Sequence, residues 1–223
     1  NIRGNIQKML PEIPVLAAAG FPSFKVFMAY EGFRVDDHDL LKIMDAAARS
    51  GAMVDVHAEN GPLADAITAG LVRHNHTAPR FYAAARPEIC EVDAISRILA
   101  YQQVTGCRLH IHHVSTAAGA NLIAIARREG RPVTGETCPQ YLTLTGHGYE
   151  GDPAMAAAIV CAPSIKTPTD RQGLWRHLAD GSLSILATDH CPYSWEQKRQ
   201  SLDNFPGIPG GIGGVEQIGR AHV

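Results

Sequence analysis

The chain is 223 residues long, enough for one large domain or two small ones. With 45% apolar and 19% charged residues it has the composition of an ordinary globular protein. Lys plus Arg total 20 against 22 for Asp plus Glu, which leaves no basic footprint for nucleic acid, and no apolar run is long enough to span a membrane. The five cysteines, Cys90, Cys107, Cys138, Cys161 and Cys191, are widely spaced and form no CxxC pair. They read as buried thiols of a reduced, cytoplasmic protein.

In chain order, the first strand-like run is Phe24 to Ala29, interrupted by Lys25. A buried ammonium is costly, so this amine must be paired, neutralised or chemically altered. Asp36 or Asp37 then caps a helix carrying Leu40, Leu41, Met44, Ala47 and Ala48 on one stripe and ending at Gly51. Met53 to His57 is the second strand, and a helix runs from about Glu91 to Gly106. The third strand, Leu109 to Val114, leads into a helix capped by Ser115 or Thr116 and ending at Gly130. Pro132 to Glu136 is the fourth strand. Thr169 caps a helix through Leu174, Trp175 and Leu178 to Gly181, and Leu183 to Thr188 is the fifth strand. The glycine- and proline-rich segment Pro206 to Gly214 reads as a loop over the site.

Strands alternating with helices predict βαβ units and a parallel sheet. No GxGxxG or Walker motif follows a strand, which argues against a nucleotide-binding doubly wound fold. Instead, Lys25, His57, His113 and Asp189 close four separate strands. That layout predicts an α/β fold of the (β/α)8 TIM-barrel type with a metal site at one rim. A full barrel takes about 250 residues, so five strands make a partial one.

Alternation sorts the histidines. Leu109, Ile111 and His113 share a face. With Leu109 and Ile111 in the barrel interior, His113 points inward at the rim, while His110 and His112 face the helices. A competing assignment makes His110-x-His112 the ligand pair. It ranks lower because it turns Leu109 and Ile111 away from the interior. Asp55 is brought inward by the parity of His57, with no role beyond outer support. Singly, each residue has an ordinary explanation: a hydrogen-bonded histidine at a strand end, an Asx turn at Asp189-His190, a salt-bridged Lys25. Their coincidence on one rim favours a metal site.

A lysine suits such a site if burial makes it neutral and it adds carbon dioxide, becoming a carbamate. A bridging carboxylate of that kind can hold two divalent ions, and a hydroxide forms between them at neutral pH. Imidazoles and carboxylates together suit zinc, with manganese, cobalt or iron as substitutes.

Ser23-Phe24-Lys25-Val26-Phe27-Met28-Ala29-Tyr30, Val56-His57-Ala58-Glu59-Asn60-Gly61, His113-Val114-Ser115-Thr116, Gly135-Glu136-Thr137-Cys138-Pro139-Gln140-Tyr141-Leu142 and Thr188-Asp189-His190-Cys191-Pro192 occur in that order. Together they resemble the hydantoinase/dihydropyrimidinase branch of the amidohydrolase superfamily. The resemblance extends to Glu216 or Gln217. It implies that Lys25 is the carbamylated bridge between two divalent metal ions, most simply zinc. It further implies that His57 and His113 bind one metal, and that Asp189 binds the other and is the general acid/base. Tyr30 would stabilise the oxyanion, and Tyr30, Ala162 and Gly210 would contact substrate.

The sequence also departs from the family. The His-x-His of the family's first strand is absent, as though the chain enters before strand four. Cys161-Ala162-Pro163-Ser164 replaces Cys-Ser-Pro-Pro, and Gly210-Gly211-Ile212-Gly213-Gly214 replaces Asn-Gly-Gly-Pro-Gly. The expected activity is hydrolysis of hydantoins or dihydropyrimidines to N-carbamoyl amino acids. Allantoinase, dihydroorotase or a non-catalytic dihydropyrimidinase-like adaptor are the alternatives. A small cyclic amide is the expected partner, and the parent protein is expected to be a homotetramer. Residues 218–223 match a translated sequencing adapter and are read as a non-native tail. Residues 1–217 are then the C-terminal part of a TIM-barrel catalytic domain (strands four to eight), expected to be unstable or inactive alone because an open barrel leaves unpaired edges.

Overall fold

The computed structural model describes residues 1–217. The tail expected at 218–223 lies outside the described residues. Five strands form one parallel sheet in the order β1-β2-β3-β4-β5. They are β1 (Ser23–Phe27), β2 (Met53–His57), β3 (Arg108–Ile111), β4 (Val133–Thr137) and β5 (Ile185–Leu186). The sequential order follows from the helical crossovers, which carry the chain back so that each strand pairs with the one before it.

The register assigns the two faces of the sheet. Lys25 pairs with Asp55, Asp55 with His110, and His110 with Thr134. The next positions, Val26, Val56, Ile111 and Gly135, form the adjacent row on the other face. That second face is the apolar one. Val26, Val54 and Val56 are fully buried, and Leu109 and Ile111 nearly so. A Cβ on Gly135 would meet Ile123 Cδ1 at 2.9 Å, so this row packs directly on the helix Ala117–Arg128. Each such aliphatic side chain contributes about 1.5–3 kcal/mol on burial. The polar row faces away from the helices.

The helices begin and end on identifiable chemistry. Asp36 accepts from the Asp39 N–H to start Asp37–Arg49, whose Leu40, Ile43, Met44 and Ala47 are fully buried. Thr116 caps Ala117–Arg128, accepting from the Gly119 N–H. The helix Glu88–Thr105 starts one turn earlier than expected and ends at Gly106, whose φ of +67° is the left-handed cap glycine supplies. Gly61–Arg73 is a helix with no counterpart in the expectation; Asn60 caps it by accepting from the Leu63 N–H. The last long helix, Pro168–Ala179, is capped by Thr167 rather than by Thr169. Pro168 occupies the first helical position, where its missing N–H costs nothing, and Thr167 and Asp170 form a reciprocal capping box. The five cysteines are free; four are buried as expected, and Cys191 is only half-buried. Among the described residues no helix is long and apolar enough to cross a membrane.

Asp170 also accepts from the Ala117 N–H at 3.0 Å, tying the helix Pro168–Ala179 to the start of the helix Ala117–Arg128. Thr167→Ala removes only the cap and is expected to cost about 1 kcal/mol, which lowers the thermal midpoint by about 2–4 °C. An unchanged midpoint would show that the box contributes nothing.

Candidate active site

Of the predicted rim residues, His57 ends β2 and His113 and Asp189 follow β3 and β5, but Lys25 lies in the middle of β1 rather than closing it. Lys25 stands on the polar face of β1, and His57, the last residue of β2, shares the parity of Asp55. His113 lies two residues beyond the end of β3, and alternation does not place it. Leu109 and Ile111 face the helices, which corrects the expected parity; His110 and His112 face the polar side. His113 reaches the rim because its backbone turns left-handed, at φ +39°. Non-glycine residues resist that conformation, so something must hold it.

Glu91 supplies the hold. It is fully buried on the helix Glu88–Thr105. Its carboxylate accepts from the Ser115 N–H at 3.0 Å and hydroxyl at 2.5 Å, and from the Thr116 N–H at 2.9 Å and hydroxyl at 2.6 Å. The backbone just past His113 is thereby pinned. Burial pushes the Glu91 carboxyl upward, against the nearby Lys166 and these hydrogen bonds.

His57 Nδ1 and His113 Nε2 lie 2.9 Å apart in the buried rim. Burial lowers the pKa of both, and each ring's neighbours include the other or Lys25, so both are neutral imidazoles. The other nitrogen of His57, Nε2, is 3.4 Å from the Glu59 carboxylate. Glu59 is paired in turn with Arg86. Burial alone would raise Glu59, but the Arg86 guanidinium and His57 hold it down at about 2. Arg86 also lies over the rings of Tyr30, at 5.5 Å, and Tyr82, at 5.9 Å. Lys25 is lowered by burial, opposed through space by Asp189, Glu136 and Asp55.

Tyr30 and Asp189 share the unusual backbone of His113, with φ of +69° and +46°. Only one other non-glycine residue among those described has positive φ, Asn75. Three of the predicted site residues are therefore held in conformations that cost roughly 1–3 kcal/mol each. Tyr30 is positioned by close packing of its loop on Gly61, where an added Cβ would meet Ala29 Cα at 2.9 Å. Its ring centroid is 5.0 Å from that of His57. Burial raises the Tyr30 phenol well above its ordinary value, so it stays protonated.

Asp189 is solvent-exposed at the end of the fifth strand segment, which pairs only over Ile185–Leu186 rather than Leu183 to Thr188. His190 Nδ1 accepts from the Gly214 and Val215 N–H groups, both at 3.0 Å, and His190 bridges to Ile212. The glycine-rich loop is thus tied beside Asp189, as expected. At Gly211 an added Cβ would meet the Cys191 carbonyl at 2.4 Å, so only glycine fits. Tyr30, Ala162 and Gly210, the three predicted substrate contacts, line one cavity of about 390 Å³ together with Tyr82, Arg86 and Phe205.

A second polar group contains the His110-x-His112 pair that the sequence reading ranked below His113, joined by Glu136, whose part in it was not foreseen. His110, His112 and Glu136 converge on the inner face and could hold a metal ion. Burial would raise Glu136, but hydrogen bonds from His110 and His112 bring it down to about 2. Glu59, Arg86 and Glu91 were also missed as supports; Glu59, two residues after His57 and inside the quoted motif, carried the visible signal.

A parallel α/β sheet that carries metal-ligand-type side chains at and just beyond the carboxyl ends of its strands has the site layout of α/β enzymes. Comparison with known proteins narrows it. No family model matches the chain. The D-hydantoinase of Streptomyces coelicolor is 37% identical over 212 residues, covering 94% of this chain and 45% of that protein. The structure of D-hydantoinase from Bacillus sp. AR9 superposes with a TM-score of 0.92 at 35% identity, over 96% of this chain and 48% of that one. Dihydropyrimidinase from Brevibacillus agri does so with a TM-score of 0.92 at 35% identity, over 96% and 47%. This chain is homologous to hydantoinases and dihydropyrimidinases over nearly all of its own length, and it spans about half of theirs.

Glu59 and Glu136 both titrate below the ordinary 4.5 in the folded chain, so unfolding takes up protons. Their stabilisation is complete above about 4.5 and is lost as the pH falls through about 2. The urea midpoint is expected to drop across that window, and less steeply in Glu59→Gln. Glu59→Ala, which leaves the half-buried Arg86 without its carboxylate, is expected to lower stability at neutral pH by about 1–3 kcal/mol.

Proposed function

We propose that residues 1–217 are the C-terminal part of a TIM-barrel cyclic amidase, with the five strands standing as strands four to eight of a (β/α)8 barrel. The reaction is hydrolysis of a ring C–N amide bond in a hydantoin or dihydropyrimidine, giving an N-carbamoyl amino acid. The observation that carries this assignment is the facing pair of buried, neutral imidazoles, His57 Nδ1 to His113 Nε2 at 2.9 Å, on the rim that also bears Lys25, Asp189 and Tyr30.

The donor set fits a divalent metal. Neutral imidazoles whose nitrogens converge are ready ligands, and the Glu59 carboxylate behind His57 is the outer partner that metal-binding histidines use. His57 and His113 would hold one ion and Asp189 a second, most simply zinc. Lys25, pushed toward the free amine by burial, would add carbon dioxide and bridge them as a carbamate. By the resemblance, the remaining ligands are a His-x-His on a strand this chain does not span. Bound there, the ions supply Lewis acidity, polarising the ring carbonyl and acidifying water.

The chain's own residues do the rest. Asp189 accepts a proton from the attacking water and returns it to the ring nitrogen as the C–N bond breaks. Tyr30, kept protonated by burial, donates its O–H to the oxyanion that develops on the carbonyl. The cavity beside Tyr30 receives the ring substituent, with Ala162 and Gly210 offering main-chain contacts.

The test compares metal content and turnover of hydantoin and dihydrouracil in this chain and in a protein restored with the upstream His-x-His strand and the remaining C-terminal part. Turnover is expected only in the restored protein and is lost in Lys25→Ala. There, Asp189→Asn is expected to lower kcat by about 10²–10⁴-fold and Tyr30→Phe by about 10²–10³-fold. A restored protein without metal or turnover would return the assignment to the non-catalytic adaptor.

A further inference from the structure

His110 of β3 and His112, just past its end, lie on the polar side of the sheet, and the proposed hydrolysis makes no use of them. His110 Nδ1 bonds Thr134 Oγ1 at 2.9 Å, which turns its Nε2 to Glu136 Oε2 at 3.2 Å. His112 presents Nδ1 to Glu136 Oε1 at 2.7 Å. The two rings stand edge to face, centroids 4.9 Å apart. One ligand atom from each of the three residues lies within 4.8 Å of the others. His110 and Glu136 are buried, with 6% and 9% exposure. His112 Nε2 is buried and has no hydrogen-bond partner; the nearest acid, Asp55 Oδ2, is 3.9 Å away and is itself held by the Ser23 hydroxyl.

The geometry points to a second cation site, formed by His110, His112 and Glu136, for a late first-row divalent ion of the zinc type. It is separate from the set of Lys25, His57, His113 and Asp189. Two imidazoles and one carboxylate select zinc, cobalt or nickel over calcium or magnesium, which take oxygen ligands. Ligand atoms on one tetrahedral zinc, each bound at about 2.0–2.2 Å, stand about 3.4 Å apart. The observed 3.2 and 2.7 Å therefore require only small outward shifts of flexible side chains. The surroundings are those of a built site. Thr134 orients His110 through its outer nitrogen, as outer-shell groups orient metal-binding histidines. With Nδ1 of His112 given to the ion, its proton sits on Nε2, on the side of Asp55, so the orphaned nitrogen acquires a role.

The test uses the full chain carrying His57→Ala and His113→Ala, which removes the rim imidazoles and leaves the β3 pair. Zinc binding is followed by equilibrium dialysis, and cobalt(II) serves as the spectroscopic stand-in. One equivalent of zinc is expected to remain, with X-ray absorption reporting two imidazole ligands and with visible cobalt bands of a low-coordinate site. Adding His110→Asn or Glu136→Gln is expected to weaken that equivalent at least tenfold while leaving the far-UV circular dichroism unchanged. Thr134→Val, which keeps every ligand and is the milder change, is expected to weaken it by about 10–100-fold. Absence of bound zinc in the folded rim variant, or an affinity indifferent to His110, Glu136 and Thr134, would overturn the site.

Discussion

In-register pairing of parallel strands sets Lys25, Asp55, His110 and Thr134 side by side across the sheet, on the face turned away from the helices. The rest of the molecule depends on that division. One face is a continuous apolar layer of Val26, Val54, Val56, Leu109 and Ile111, locked to the helices with no exposure to spare. The other is free to carry ionisable groups, because the helices have already supplied the burial that stabilises the sheet. A slip of one residue would exchange the faces and bury the whole polar row against the helices. The apolar layer therefore fixes where the chemistry can be.

Carboxylates do most of the positioning on the polar side. Glu59, Glu91 and Glu136 are all buried, and each holds a different part of the rim or of the row beneath it. Glu59 links His57 to Arg86, Glu91 grips the backbone beyond His113, and Glu136 joins His110 to His112. Arg86 and His57 for Glu59, and His110 and His112 for Glu136, more than offset desolvation, whereas for Glu91 burial outweighs its partners. The cost is borne by the backbone at Tyr30, His113 and Asp189, which is held left-handed by the packing around it.

The strands were legible in the sequence because each is a short apolar run between turn residues, and four of the five were located to within a few positions. The fifth was overestimated: Leu183 to Thr188 has the composition of a strand, but only Ile185 and Leu186 form ladder pairs. The helix Gly61–Arg73 was not anticipated, since it opens on Gly-Pro and its cap, Asn60, sits inside a motif notable for other reasons. The orientation of β3 misled for a physical cause. Leu-His-Ile-His-His alternates cleanly, and alternation cannot foresee that the chain twists out of the strand at His113. The rim histidine thus came out inward by an incorrect parity, and the partner histidines His110 and His112 were turned the wrong way. Long-range supports such as Glu91, which meets Ser115 and Thr116 across 24 and 25 positions, leave no mark in local pattern at all.

The bonds from Gly214 and Val215 to His190 have a mechanical consequence. They fasten the far end of the glycine-rich loop to the residue directly after Asp189, while Gly210, earlier in that loop, borders the cavity beside Tyr30. Loop and carboxylate are thereby tied through a single residue, His190. On the proposed chemistry, a ring substituent that crowds Gly210 strains the same backbone that aims Asp189, so its bulk registers in the alignment of the proton carrier as well as in the fit of the cavity.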